Sequence, residues 1–296
     1  MDSRGIATAL VSISAPGLWF DNDRALAQRL ARSSNEFAAR MVADHPERFG
    51  SLAALPLPDV TLSLAELTYA VEVLKCDGIC LMTNYGTLYL GDPGLDPVFA
   101  ELNRLRLPVY VHPYACDCDQ QVLPGVPWSM IEFPHSTTRA VVNMLSQGTF
   151  VRFPDIPFIF SHAGGTIPFL VHRIEGQASV LNKPGWRQTL QRLHYDTAGS
   201  ANRAAFAPLL QLVSAQQILL GTDFPFAGEA GAGAAVSGIE GVGLSDDDLL
   251  AVQAGNARRL FSPATPTRVR TRVGAVGISG RPGSGPDVNA LANGVW

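Results

Sequence analysis

Apolar residues along this chain fall into short continuous runs, separated by longer stretches with helical spacing. Residues 6–14 (IATALVSIS) open the series as a buried-strand run. Residues 22–44 follow, with Leu26, Leu30, Phe37 and Met41 recurring at helical intervals, and His45-Pro46 ends that helix. The same alternation continues with a strand over 51–57 (SLAALPL), a helix over 59–75 and a strand over 78–83 (GICLMT). A turn-rich loop around Gly91-Asp92-Pro93 leads to a helix over 96–105, a strand over 107–112 (LPVYVH), a long loop and a helix over 137–147. Strands over 157–161 (PFIFS), 193–197 (LHYDT) and 217–222 (QILLGT) complete the series.

Seven strands with helices between most of them predict an α/β fold of parallel strands joined by right-handed crossovers. An open doubly wound sheet and a closed (β/α)8 barrel both satisfy this pattern. The first strand is not followed by Gly-x-Gly-x-x-Gly, which disfavours a dinucleotide-binding sheet. Seven strands are one short of a barrel.

Composition narrows the function classes. Of 296 residues 47% are apolar and 16% charged, which is globular rather than disordered. The net charge of −4 and the short basic runs give no footprint for a nucleic-acid partner. No segment approaches the ~20 apolar residues of a membrane span, and the N-terminus does not read as a secretion signal. Four Cys are too few for a disulfide framework, so a cytoplasmic protein with reduced thiols is expected.

Two stretches differ from the rest. Residues 228–243 are rich in Gly and Ala and read as a long loop or a poorly ordered helix. Residues 262–296 mix Pro, Gly, Ser and Arg without periodicity, and carry +3 of charge against −7 elsewhere. The expected organisation is therefore a barrel over 1–261 and a flexible or loosely packed tail over 262–296.

In parallel α/β folds ligands gather where the strands end. His112, His162, Asp196 and Asp223 all lie at such ends, and imidazoles with a carboxylate suit a divalent metal. Any one of them alone reads more simply as a hydrogen-bonded structural residue; the weight comes from the set. Gly164-Gly165 after His162 permit a close approach by backbone or substrate. His45, His172 and His194 fit structural positions, and His135, just before a helix, either reaches the site mouth or belongs to an N-terminal capping segment. Cys116 and Cys118 form one Cys-x-Cys pair on the candidate face, a weak metal signal, whereas Cys76 and Cys80 read as packing residues. Trp128, Phe133 and Phe226 are loop aromatics that either stack on a ring or simply pack.

Four motifs together resemble one family: Leu107-Pro108-Val109-Tyr110-Val111-His112-Pro113, Ser161-His162-Ala163-Gly164-Gly165, Gly221-Thr222-Asp223-Phe224-Pro225-Phe226, and Gly255-Asn256-Ala257-Arg258-Arg259-Leu260-Phe261. Asn35-Glu36, Pro46-Glu47-Arg48-Phe49 and Leu95-Asp96-Pro97-Val98-Phe99 fit the same pattern. The family is the amidohydrolase-related branch that contains aminocarboxymuconate-semialdehyde decarboxylase, and the resemblance runs from about residue 1 to 261. Glu132-Phe133-Pro134 with Thr137-Thr138-Arg139-Ala140 is most similar to the 6-methylsalicylate-type decarboxylases.

The resemblance implies a (β/α)8 barrel with one divalent metal, zinc or else manganese, at its C-terminal face. His112 and Asp223 are then metal ligands, Asp223 also moves a proton, and His162 is the catalytic histidine. The implied reaction is non-oxidative decarboxylation of a hydroxylated aromatic or dienoic acid, by a homodimer. A metal-dependent hydrolase of a lactone, ester or amide would use the same ligands.

One departure stands out. The family opens with a strand ending in His-x-His or Glu-x-His, and this chain begins where the family's second strand begins. The expected fold is therefore a barrel lacking its first strand, less stable than its relatives unless something covers the gap. A start placed downstream of the natural one is the expected cause. A truncated pseudoenzyme, or Cys116 and Cys118 standing in for the two further metal ligands that strand supplies in the family, are the alternatives.

Overall fold

All seven predicted strands are present in the computed structural model, which describes residues 1–20, 22–116, 123–180 and 184–261. They are β1 (Ala9–Val11), β2 (Phe49–Ala54), β3 (Gly78–Met82), β6 (Val109–His112), β7 (Phe158–Phe160), β8 (His194–Asp196) and β9 (Ile218–Leu219). All pair in parallel, in chain order from β1 to β9. The turn-rich loop holds a feature the sequence did not predict, a small antiparallel hairpin of β4 (Asn84–Tyr85) and β5 (Leu88–Tyr89). The helices are α1 (Arg24–Asp44), α2 (Val60–Glu72), α3 (Asp96–Leu105), α4 (Glu132–Gln147), α5 (Thr149–Arg152), α6 (Ile167–Val180), α7 (Trp186–Leu190), α8 (Arg203–Leu212), α9 (Gly228–Gly238), α10 (Asp246–Leu250) and α11 (Asn256–Phe261). This is the curled parallel sheet of a (β/α)8 barrel with seven strands. Among the described residues β1 pairs only with β2 and β9 only with β8, so the sheet stays open there.

Strands covered on both faces read as unbroken apolar runs, and all five residues of β3 are buried. Behind the sheet, Phe150 meets Phe158 and Phe160 edge-on, and Phe99 stacks on Phe153. Cys76 and Cys80 are buried in this core, as read from the sequence.

Helix starts follow local chemistry. The Asp23 and Asp59 carboxylates accept from the Leu26 and Leu62 N–H groups, capping α1 and α2. α1 departs from the expected apolar face. Ala27, Ala31 and Asn35 face the sheet, while Phe37 is 59% exposed. Small residues let the helix lie close to β2, and the Asn35 amide bonds both the N–H and the C=O of Ala54. Asn35 also donates to Glu66, whose buried carboxylate is gripped by the Arg32 guanidinium at 2.8 Å. Phe37 and Met41 instead line a groove of about 370 Å³ beside the open edge of β1.

One further expectation changes and another is narrowed. Helix α4 starts at Glu132, five residues before its predicted start, because Pro134 sits in the first turn, where no N–H is needed. Of the two readings of the Gly/Ala-rich stretch, loop or helix, the helix is the one found, as α9. Cys118, much of its loop and the whole proposed tail over 262–296 lie outside the described residues.

Candidate metal centre and active site

Three strand exits build the site. β6 ends in His112, which is buried; its Nδ1 sits 2.9 Å from the Pro113 carbonyl, as a donor to it. With Nδ1 taken up in this way, Nε2 is the nitrogen that faces the site. After β7 the chain turns sharply through His162 and Ala163, both left-handed at φ 54° and 57°. After β9, Asp223 is also left-handed, at φ 54°. Three non-glycine residues in a disfavoured backbone region mark a site where the surrounding structure fixes the conformation.

These turns converge. Asp223 Oδ2 lies 3.5 Å from His162 Nε2, and its Oδ1 lies 4.0 Å from His112 Nε2. The imidazoles of His112 and His162 meet edge-on at 5.8 Å between centroids. One donor atom from each of His112, His162 and Asp223 falls within 4.8 Å of the others, and among the described residues this is the one such group. Two imidazoles and a carboxylate at this spacing fit a divalent cation.

Electrostatics support that fit. Burial pushes the Asp223 carboxyl up, but its pairing with His112 and His162 outweighs this and holds it well below the usual carboxylate range. Asp223 therefore rests as the carboxylate. Burial likewise works against a charged His162, yet the Asp223 bond and the charges of Asp196 and Asp223 leave it raised. His162 Nδ1 is buried and has no hydrogen-bond partner in the protein.

The fourth strand-end candidate, Asp196, is not in the group. Its carboxylate accepts from the His162 and Ala198 N–H groups and from the Tyr110 hydroxyl. Burial pushes its pKa up, and the charge of His162 and these bonds pull it part of the way back. His135 is not a cap: it lies in the first turn of α4 with Nδ1 2.7 Å from the Ile131 carbonyl. Cys116 is buried and outside the group. Of the three aromatics, Phe133 stands 6.3 Å from His112 and Trp128 packs edge-on against Tyr114, whereas Phe226 is 66% exposed.

Sequence reasoning missed Ser14, whose hydroxyl sits 3.2 Å from His112 Nε2. It follows β1 as the other candidates follow their strands, and position alone would have flagged it. Tyr110 was also missed, because a mid-strand tyrosine carries no signal of the carboxylate it bonds.

The two glycines after His162 admit protein rather than open space. Gly165 has φ +67°, ψ −124°, and a Cβ there would strike the Pro134 carbonyl oxygen. That contact docks α4 against the His162 turn, next to the bond from Thr166 N–H to Thr138 Oγ1. Gly165→Ala is expected to lose about 2–3 kcal/mol of stability, read as a lower urea midpoint. An unchanged midpoint would mean the turn is not held as described.

Comparison with known proteins agrees with this geometry. The chain is 32% identical over 265 residues to a 6-methylsalicylic acid decarboxylase of Penicillium expansum, covering 86% of this chain and 82% of that one. It superposes on the crystal structure of a 2,6-dihydroxybenzoate decarboxylase from Rhizobium with a TM-score of 0.81 at 26% identity, over 88% of this chain and 85% of the other. A dihydroxybenzoic acid decarboxylase from Polaromonas, solved with bound manganese and the inhibitor 2-nitroresorcinol, matches equally well, with TM-score 0.81, 26% identity and coverage of 88% and 83%. The sequence model of the amidohydrolase family matches residues 15–262, and the chain belongs to that family.

Proposed function

We propose that this chain is a metal-dependent, non-oxidative decarboxylase of a hydroxylated aromatic carboxylic acid, with residues 1–261 as its catalytic unit. The observation that carries the reading is the convergence of His112, His162 and Asp223 within 4.8 Å at the strand ends, in a family whose matched members decarboxylate hydroxybenzoates.

In this reading His112 and Asp223 hold the metal, and His162 acts beside it. We assign zinc, because imidazole and carboxylate are both usual zinc donors, although manganese takes them as well. A homodimer is the assembly we expect, on family resemblance alone. When bound, a divalent cation would supply positive charge that attracts and orients the acidic oxygens of the substrate. Phe133 offers an apolar wall next to His112 for an aromatic ring.

The chemical demand falls on proton delivery. Breaking the bond to CO2 directly would leave an electron pair in an sp² orbital with no stabilisation. A proton must therefore reach the carboxyl-bearing carbon first. His162 Nε2 sits 3.5 Å from Asp223 Oδ2, so a proton carried on His162 can reach the ring directly or be passed through the Asp223 carboxylate. The carbon–carbon bond then breaks, its electron pair returns to the ring, and CO2 leaves.

A panel of hydroxybenzoates that includes 6-methylsalicylate and 2,6-dihydroxybenzoate tests the reading, with CO2 release and phenol formation as the signals. We expect release from at least one of them and no proton release from a parallel panel of lactones. Lactone hydrolysis without any CO2 would replace the decarboxylase reading with a hydrolase one.

A further inference from the structure

The Asp196 carboxylate is not among the donor groups of the candidate centre, yet residues on or just after three other strands meet on it. It lies at the end of β8 and is 4% exposed. One oxygen accepts from the His162 N–H at 2.7 Å and the Ala198 N–H at 3.0 Å. The other accepts from the hydroxyl of Tyr110, on β6, at 2.7 Å. From the β9 side, Gly221 comes so close that a Cβ there would fall 2.6 Å from Asp196 Oδ2.

What this carboxylate holds is the strained turn. His162 and Ala163 are consecutive non-glycine residues at positive φ, a state L-residues rarely visit in succession. The backbone bond from His162 N–H to Asp196 fixes that conformation from its start. The left-handed turn in turn sets where the His162 imidazole stands relative to Asp223.

We infer that Asp196 is the positioning residue for His162: it contacts the backbone of the catalytic histidine, keeps it left-handed, and so aims its ring. The role in turnover rests on the decarboxylase reading above; the geometric part does not. Asp196 exchanges no proton with substrate and holds no metal in this account.

Three variants test it. Asp196→Asn keeps an oxygen for both N–H groups, and its amide can donate to the Tyr110 oxygen, so it should rescue function to within ~3-fold of wild type. Asp196→Ala removes the acceptor, and should lower kcat ~100-fold with KM and metal content little changed, as expected of a misplaced catalytic group. Asp196→Ser covers the case where the Ala variant does not fold. Its hydroxyl can still serve the nearby Ala198 N–H but is too short to span to His162, so it should lose kcat as Ala does. Added to His162→Ala, either change should cost no further kcat, because both act through one imidazole.

A crystal structure of the Ala or Ser variant supplies a readout free of activity, with His162 expected to leave positive φ. Retention of the left-handed turn, unchanged kcat per folded chain, or an equal loss in the His162→Ala background would each overturn the inference. If wild-type protein releases no CO2 from any acid tested, the decarboxylase reading fails, and the φ of His162 in the variants still decides the positioning claim.

Discussion

Asp223→Ala is expected to strip the divalent metal from the protein while leaving it folded. Asp223 is the one anion in the group, and it stands between His112 and His162 at 4.0 and 3.5 Å. His112 without that anion makes a poor site for a hard or borderline dication, which needs a charged oxygen to offset its desolvation. Asp223→Asn keeps the shape but removes the charge, and separates the two contributions. Metal per chain by plasma mass spectrometry should fall from about one to near zero in the Ala variant, and turnover should fall to background with it. His112→Ala should do the same. The side chain of Asp223 is partly open to solvent, so neither the helices nor the sheet depends on it. Unchanged circular dichroism with lost metal is the predicted pair of results; metal retained in full would remove Asp223 from the ligand set.

His162→Ala is expected to give the opposite combination, metal retained and turnover lost. The His162 ring is largely buried, its Nε2 faces Asp223 and its Nδ1 has no protein partner. A buried nitrogen without a partner is costly unless something that binds there uses it. Removing a general acid or base typically costs ~10²–10⁴-fold in rate, and that loss should fall on kcat with little change in KM. Normal turnover with normal metal content would refute the catalytic role. Loss of both would make His162 a ligand as well.

The sheet was legible in the sequence because strands buried on both faces must be continuously apolar, as in Gly78–Met82 and Phe158–Phe160. The site histidines and Asp223 were legible for a related reason: a charged or ionisable residue directly after such a run stands at the mouth of the sheet. Helix faces were harder. In α1 the small residues Ala27 and Ala31, together with Asn35, face β2, so a reading that seeks large apolar side chains picked the wrong stripe. The hairpin over residues 84–89 was missed because two-residue strands carry no periodicity.

Asp196 shows the limit more sharply. From spacing alone it has the same standing as His112 and Asp223, at the end of a parallel strand. Only the three-dimensional arrangement reveals that its oxygens are taken up by two backbone N–H groups and a tyrosine. Sequence position identifies which residues reach the mouth of the sheet, and the partners each one finds there decide what it does.

The central claim, that these strand ends form a working metal centre, is tested most directly by measuring divalent metal per chain in protein purified without added metal. The account predicts about one zinc or manganese per chain, removable by chelation together with CO2 release and restored with it. A folded protein with essentially no bound metal, and none taken up on titration with zinc or manganese, would contradict it.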